Sequence, residues 1–551
     1  MSILTPNPAS DIAPVARGTD GAPWTPADDA SRKRAQARAP LRIGVIAGRE
    51  TLGASWARRL IGEIFKSEVL DLAVVIAPDA QQRPASDGLF GLWSTLENRL
   101  VGARFQDPDT DFEAALGSIS VMRLEQFDTT ADAGLDVIID LTAGQTLAGL
   151  VGCARYGVWF MDAVAEDGDA FGLASILSGD PATDITLFSR QVGEDTVLPL
   201  ARAALNPKFI AARQAAFLRE KSVALVLREL RRLQNTGEMI PADPVVPSGR
   251  RRPTTGDLAR YLTGLSGEVA SRAAAKVRTR LRQRPGMFCL RTTDAGLLDF
   301  SPAAAKEHVP IGNTYAADPF LWDRDGEQYC FFETKSYDTG LGHIDVARFE
   351  AGELVDVQTA LKTGYHLSFP FLFQQGEELF MIPESCAARR IDLWRCAEFP
   401  NRWEHQRTLI DDVVAADTSI AEIDGTWWMF TNMADDPFGE MNSELHLFRI
   451  NGPDFKTIEP HPLNPVVFDT RTARNAGRIL FHGGQAYRPS QDNSHGTYGY
   501  GLNLMRIDRI DMTDYAETRV RHITPDFEAG LIGCHHLDMR GSRIVFDVRR
   551  K

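Results

Sequence analysis

Between residue 318 and the C-terminus one pattern recurs five times: ADPFLWDRDGEQYCFFE, SFPFLFQQGEELFMIPE, ADTSIAEIDGTWWMFTN, AGRILFHGGQAYRPSQD and GCHHLDMRGSRIVFDVR. Each copy reads as an apolar strand, a tight turn ending in Gly, and a second strand rich in aromatic and aliphatic residues. The turn glycines are Gly326, Gly376, Gly425, Gly484 and Gly541, spaced by 50, 49, 59 and 57 residues. Two-residue hairpin turns that match strand twist need positive φ, which glycine adopts without steric cost. A period near 50 built from hairpins specifies propeller blades. The intervening stretches GHIDVARFEAG, RIDLWRCAEF, ELHLFRINGP and GLNLMRIDRI supply further strands, so five four-stranded blades are expected over residues 301–551. Meanders in a sandwich are the alternative, but sandwiches do not usually repeat their own sequence.

In a propeller the first strand of each blade lines the central channel, and chemistry concentrates at its entrance. Counting eight residues back from each turn Gly gives Asp318, Ser368, Asp417, Ala476 and Gly533. Counting seven or eight forward gives Glu333, Glu384, Asn432 and Gln491, with Asp492 alongside. Glycosyl transfer or hydrolysis needs one carboxylic acid to protonate a leaving oxygen and one carboxylate as base or nucleophile. Asp318 with Glu384, or secondly Glu333, meets that need, and Asp417 stands in the equivalent place of a second blade. The competing reading is structural, because Asp before Pro, as in Asp318-Pro319, also starts turns.

The run ADPFLW, DG..Y.FFE and the later ADTSI…DGTWWMF resembles the five-bladed propeller of the arabinanase and β-xylosidase type of glycoside hydrolases. That resemblance implies an early Asp as general base, a second Asp that tunes it, and a Glu as acid. The fuller run of ADPF, LSFPFLF, LFMIPES, WRCAEFPNRWE, HPLNPVVFDTRTARNAGR, RPSQD and YGYGLNL is similar to the propeller domain of plant glucosamine inositolphosphorylceramide transferases, over about residues 305–551. This likeness implies a carbohydrate-facing surface. It does not imply hydrolase activity, because that propeller precedes the transferase domain.

Arginines cluster in the fourth copy, at Arg471, Arg474, Arg478 and Arg488, and Arg389 and Arg390 follow MIPES. Guanidinium forks suit phosphate or carboxylate, so a glycan, sugar phosphate or nucleotide sugar is the expected partner; surface ion pairing is the plainer account. The candidate substrate contacts are Arg474, Arg478, Arg488, Asp492, Trp427 and His535. His535 and His536 lie on the fifth inner strand, and with no second ligand in view no metal site is expected.

At 551 residues the chain is too long for one core, so two or three domains are expected. A net charge of −14 argues against a nucleic-acid binder, which needs a basic surface. No run of 18 apolar residues occurs. The N-terminus lacks a basic start followed by an apolar core, and the six cysteines are scattered without CxxC, so a cytoplasmic, reduced protein is the expectation.

Residues 1–40, rich in Pro, Ala, Asp and Ser, are expected to be disordered. LRIGVIAG, LDLAVVIA, SISVMRLEQF and LDVIIDLTA are strands alternating with helical stretches, which specifies an open α/β sheet over 41–235, with Asp140 at a strand end. GRETLG lacks the GxGxxG spacing of a dinucleotide site. The succession LRIGVIAG, DVIIDLTAGQTL and YGVWFMDAVAEDGDAFGLASILSGDPATDITLFSRQVGEDTVL resembles the formyltransferase domain that uses formyl-tetrahydrofolate. The resemblance implies catalysis by an Asn, a His and an Asp. The Asp matches Asp195, but Trp159, Phe160, Met161 and Asp162 stand where the Asn-x-His belongs. Without a group titrating near neutrality the amine loses its base. A degenerate domain that uses no formyl-tetrahydrofolate is therefore expected, with Asp140, Asp162 and Asp195 as its residues of interest.

Leu198 to Leu233 reads as helical, and 236–300 as a helical linker. Within it TTGDLARYLTGLSGEVASRAAAKVRTRLRQRPG carries six basic residues between Arg272 and Arg284. Such a basic helix, 255–284, can lie on an anionic membrane surface or pack between domains. The leading function is glycosyl transfer or hydrolysis at the propeller, with Asp318 as base or nucleophile, Glu384 as acid and Asp417 tuning. The rivals are a glycan-binding scaffold without turnover, and a formyltransferase of amino sugars rebuilt around Asp195.

Overall fold

The computed structural model describes residues 38–551 apart from 79–88, 102–116, 118–119, 125–126, 128–133, 143–149, 162–171, 194–196, 246–252, 281–285, 311 and 435. The expected disorder of 1–40 therefore falls almost wholly outside the described residues, as do Asp162 and Asp195. The chain forms two compact units, one built on residues 27–273 and one on residues 274–551 apart from 436–438.

The first unit contains a seven-stranded sheet of β1 (Leu41–Ile46), β2 (Leu70–Ala77), β3 (Ser120–Arg123), β4 (Val137–Asp140), β5 (Val158–Met161), β6 (Thr183–Arg190) and β7 (Leu198–Leu205). Their spatial order is 3-2-1-4-5-6-7. The first five strands are parallel, and β6 and β7 add antiparallel at the edge. The near-continuous apolar runs of β1 and β4 follow from burial on both sheet faces. Gly44 has a packing reason, since a Cβ there would stand 2.9 Å from Leu135 Cδ1. The helices are α1 (Arg49–Leu52), α2 (Ser55–Lys66), α3 (Leu89–Val101), α4 (Leu173–Ser178), α5 (Ala211–Thr236) and α6 (Thr255–Arg280).

The helical reading of 198–233 is corrected at its start. LPLARAAL has good helix formers, but pairing with β6 makes it a strand, and tertiary context overrides propensity. Helix α5 begins only at Ala211 and ends with Gly237 in the left-handed region, its N–H on Leu233 O at 2.7 Å.

The second unit is a five-bladed propeller. Blade I runs Thr314–Arg324, Glu327–Ser336, Gly342–Glu350 and Glu353–Leu361. Blade II runs Ser368–Gln375, Glu378–Glu384, Arg390–Glu398 and Arg402–Asp411. Blade III is built on Ala415–Ile423, Thr426–Met433, Glu444–Ile450 and Ile458–Pro460, and blade IV on Leu480–His482, Gln485–Asp492, Gly501–Ile510 and Tyr515–Ile523. In blade V, Leu537–Arg540 and Arg543–Arg550 are joined by Met287–Asp294 and Lys306–His308. The C-terminal strand thus pairs with a strand that precedes blade I, which closes the ring. This corrects the boundary at 301: residues 287–300 belong to blade V, and the linker is shorter than 236–300.

All five turn glycines have positive φ. In blades I, III and IV both loop residues are left-handed, Asp325-Gly326, Asp424-Gly425 and Gly483-Gly484, whereas in blades II and V only the first one, Gly376 or Gly541, is. These are the two primed-turn solutions, with Gly at the second or the first loop position. Counted from the glycine, blade II is therefore displaced by one residue. The structural equivalent of Asp318 and Asp417 in blade II is Phe369, not Ser368: all three are left-handed and sit in bulges at 317–320, 368–371 and 416–419.

Candidate functional site

The inner-strand bulges set the site. Asp318, with φ 51°, donates its N–H to Asp547 Oδ2 at 3.1 Å, and its own Oδ2 accepts the Phe369 N–H at 3.2 Å. Left-handed backbone at a non-glycine residue is uncommon and costly, and persists where surrounding contacts hold it. Here those contacts join blades V, I and II. Asp417, with φ 52°, accepts from Arg474 Nε at 2.7 Å and from Gln491 Nε2 at 3.2 Å, joining blade III to blade IV.

Around these two aspartates stand the ends of the second strands. Glu384 Oε2 accepts from Arg474 at 3.3 Å, and Arg474 also donates to Asn442 Oδ1 at 2.9 Å and lies over the Tyr498 ring at 5.1 Å. Glu333 accepts from Tyr315 Oη at 3.4 Å, and its Oε1 lies 3.4 Å from His366 Nε2. His366 Nδ1 takes the Gly342 N–H at 2.8 Å, so its proton sits on Nε2, facing Glu333. On blade V, His535 donates from Nδ1 to Asp547 Oδ1 at 2.8 Å and points Nε2 at Asp318 Oδ1, 3.4 Å away.

Burial pushes the Asp318 carboxyl up to about 7 against the pull of His535, and pushes Glu333 up to about 8 with Asp318 adding to it. Glu384 is also raised by burial and by the neighbouring Asp417, with Arg474 opposing. Burial alone would discharge His535, but Asp547 and then Asp318 overcome it and hold the imidazole up at about 9. Burial lowers His366 to about 4, with Lys335 assisting, and it is neutral. The centre can thus keep carboxylic acids protonated near neutrality beside a fixed imidazolium and guanidinium, the condition for acid–base work on a glycosidic oxygen.

Asp318, His535 and Asp547 bring three ligand-type atoms within 4.8 Å of one another. Asp547 Oδ1, however, already takes the N–H groups of His535 and His536 as well as His535 Nδ1. A cation would need His535 to lose its proton first, so the trio suits hydrogen bonding as it stands.

Of the residues expected at the site, Asp318, Glu333, Glu384, Asp417, Arg474 and His535 come together. Four do not. Arg478 is held by Asp538 at 3.0 Å and by the Leu321 carbonyl at 3.1 Å. Arg488 is fully buried, with its fork on Glu517 and on the Thr472 and Ala473 carbonyls. Asp492 turns to Ser494 N at 2.9 Å and His522 Nε2 at 3.1 Å, away from its neighbour Gln491. Trp427 sits beside the hairpin turn, at the opposite end of its strand from Asn432, packed on core side chains. These are corrections: an arginine run cannot reveal which forks are already saturated. Arg389, Arg390 and Arg471 are likewise ion-paired, with Asp412, Asp392 and Asp469. Tyr315, His366, Asn442, Tyr498 and Asp547 were not anticipated, since they lie outside the repeated positions; counting strand ends from the second loop residue would have added Arg549.

In the first unit Asp140 caps its own turn through Thr142 N at 2.7 Å and Thr142 Oγ1 at 2.6 Å, beside an apolar cavity lined by Trp56, Phe160 and Met161.

A propeller closed by its own leading strand, with carboxylates gathered at its centre, defines the C-terminal unit as a five-bladed propeller with an acidic centre. Residues 302–538 match the family described as glucosamine inositolphosphorylceramide transferase 1, N-terminal. Proteins named glucosamine inositolphosphorylceramide transferase 1 from Oryza sativa subsp. japonica and from Arabidopsis thaliana are 35% and 31% identical over 212 and 214 residues, 38% of this chain in each case. The match spans only 28% of either relative's length. Among solved structures, the catalytic domain of the Coprinopsis cinerea GH62 α-L-arabinofuranosidase aligns with 12% identity and a TM-score of 0.33, covering 48% of this chain and 98% of that one.

Proposed function

We propose that the propeller acts on a carbohydrate or glycolipid by acid–base glycosyl chemistry, with Asp318 as base or nucleophile, Glu384 or Glu333 as acid, and Asp417 tuning. The observation that carries this is the cluster itself: buried Asp318, Glu333 and Asp417 with the nearly buried Glu384, three of the four carboxyls pushed upward, around one channel end. The relatives are named as glucosamine inositolphosphorylceramide transferases, which favours a glycolipid over a soluble oligosaccharide. The test is product release from aryl pyranosides, aryl furanosides and nucleotide sugars by the full chain against Asp318→Asn. A loss of about 10²- to 10⁴-fold is expected. No turnover on any substrate by the wild type removes the enzyme reading.

One observation favours the non-catalytic alternative. Arg474 already bridges Asp417 and Glu384, as a fixed ligand-binding centre would have it. Saturable glycan binding without turnover is its signature. The formyltransferase alternative rests on the resemblance alone.

A membrane-peripheral location fits a lipid-linked substrate. Among the described residues no helix is long and apolar enough to cross a membrane. Helix α3 exposes Leu89, Leu92, Leu96 and Leu100 in one stripe, while its Glu97 takes the Tyr261 hydroxyl of α6 at 2.5 Å. An apolar ridge beside a helix rich in arginine suits an anionic bilayer surface. Sedimentation with phosphatidylserine vesicles, lost in Leu92→Asp/Leu100→Asp, tests it.

A further inference from the structure

The second-strand ends form a ring around the channel: Glu333, Glu384, Asn432, Gln491 and, in blade V, Arg549. Four of the five are acidic or amide residues and the fifth is a cation. Arg549 is on the same strand face as Asp547, two residues before it. Its Nε is buried with no hydrogen-bond partner, and it makes no ion pair among the described residues. Gly286 leaves room for it, since a Cβ there would stand 2.6 Å from Arg549 Nε.

The guanidinium lies over the Phe288 ring at 5.5 Å, and Phe288 packs on Tyr315 at 5.6 Å and on His535 at 4.6 Å. Lys335 Nζ stands 5.9 Å from the Tyr315 ring centroid, also without an ion pair among the described residues. The contrast with the neighbouring arginines is physical: Arg474, Arg478 and Arg488 are saturated by carboxylates, whereas these two cations are carried on aromatic faces and left open. A buried unpaired donor costs free energy that a bound anion recovers. A guanidinium without an acidic partner suits an anionic oxygen cluster, and an ammonium adds a second positive charge along the same aromatic seam. Glu333 stands next to Lys335 in the fold but is held protonated near neutrality, so it leaves the cation uncompensated.

We infer that the seam of blades V and I is a subsite for an anionic group, phosphate or carboxylate, borne by the sugar that occupies the channel, with Arg549 as its principal contact and Lys335 as the second. The inference rests on the carbohydrate reading of the channel and adds the charge of the ligand. Neutral sugar rings would occupy the carboxylate centre, and the anionic substituent would lie against Phe288 and Tyr315.

The experiment is calorimetric titration of the full chain with glucose 1-phosphate, glucuronate, methyl glucoside and inorganic phosphate. An anionic sugar is expected to bind about tenfold or more tightly than methyl glucoside. That preference should disappear in Arg549→Gln and shrink several-fold in Lys335→Met, a half-exposed position that keeps the test valid should the first variant misfold. Glucuronate against glucose 1-phosphate tells carboxylate from phosphate. Inorganic phosphate binding as tightly as either sugar would leave an anion site with no sugar specificity and overturn the inference. So would equal or undetectable binding of all three sugars at millimolar concentration. Turnover confined to neutral glycosides would overturn the subsite and leave the Asp318 chemistry standing; charge-selective binding with no turnover would do the reverse.

Discussion

His535 donates from Nδ1 to Asp547 Oδ1 across 2.8 Å, with both side chains almost wholly removed from solvent. Asp547 is the better satisfied of the two, since backbone N–H groups of Asp318, His535 and His536 also point at it. Burial would raise the Asp547 carboxyl, but His535 and those N–H groups hold it below the usual carboxylate range. The pair therefore fixes a positive imidazole against Asp318.

Asp547→Asn removes the charge that keeps His535 protonated and leaves the shape. The His535 titration, read from imidazole ¹H–¹⁵N shifts, is expected to fall from about 9 to near or below its ordinary 6.5, because burial then acts with less opposition. An unchanged midpoint would remove Asp547 as its cause.

Stability should fall as pH rises from 5 to 9. Asp318 and Glu333 bind protons more tightly in the folded state, at about 7 and 8 against ordinary values of 3.8 and 4.5, and His535 does so at about 9 against 6.5. Groups raised on folding contribute fully below their unfolded values and lose that contribution as pH climbs through the folded ones. Asp547, lowered on folding, acts oppositely and only in acid, where its contribution is lost. Thermal melts at constant ionic strength check this, and Glu333→Gln should flatten the curve between pH 5 and 8. A propeller that grows more stable over that range contradicts the assignment.

Arg474→Met should destabilise the propeller by about 3–5 kcal/mol, because Asp417 is left as an uncompensated buried charge and Glu384 loses its partner. Adding Asp417→Asn should recover part of the loss, since one orphaned charge goes with it. Denaturant midpoints of the single and double variants measure the coupling. Additive losses would mean that the guanidinium does not hold the two acids.

The repeat made the blades, their turns and the paired aspartates legible, because hairpin turns and inner strands obey local rules that glycine and alternation record. Ser368 was misread for a local reason too: Gly376 occupies the first loop position and Gly326 the second, so one count cannot serve both. Arg488 was misread for a non-local one. Its partner Glu517 lies on a strand 29 residues away, and no spacing tells a saturated fork from an open one. His366 reaches Glu333 from the connection between blades I and II, which the repeat does not describe. In the first unit the parallel strands announced themselves by unbroken apolar runs, while Leu198–Leu205 carried a helix-like composition and became a strand only through β6.

The closing strand is the least legible element and gives the sharpest test of the domain boundary. MFCLRTTD follows a basic helix, lacks the repeat and sits far from its partner, yet Met287–Asp294 pairs residue by residue with Arg543–Arg550. Leu290 faces a core made with Ala316, Leu321, Cys330 and Val545, so it joins blade V to blade I, and its ladder partner is Asp547. Leu290→Ala should cost about 2–5 kcal/mol as a buried truncation. Val309→Ala, 64% exposed nearby, should stay within about 0.5 kcal/mol. Urea unfolding of the full chain, followed by tryptophan fluorescence, separates the two. Were residues 236–300 a linker, Leu290→Ala would be as silent as Val309→Ala; a loss of the size expected places the start of the propeller at residue 287 and ties the closure of the ring to the strand that carries Asp547.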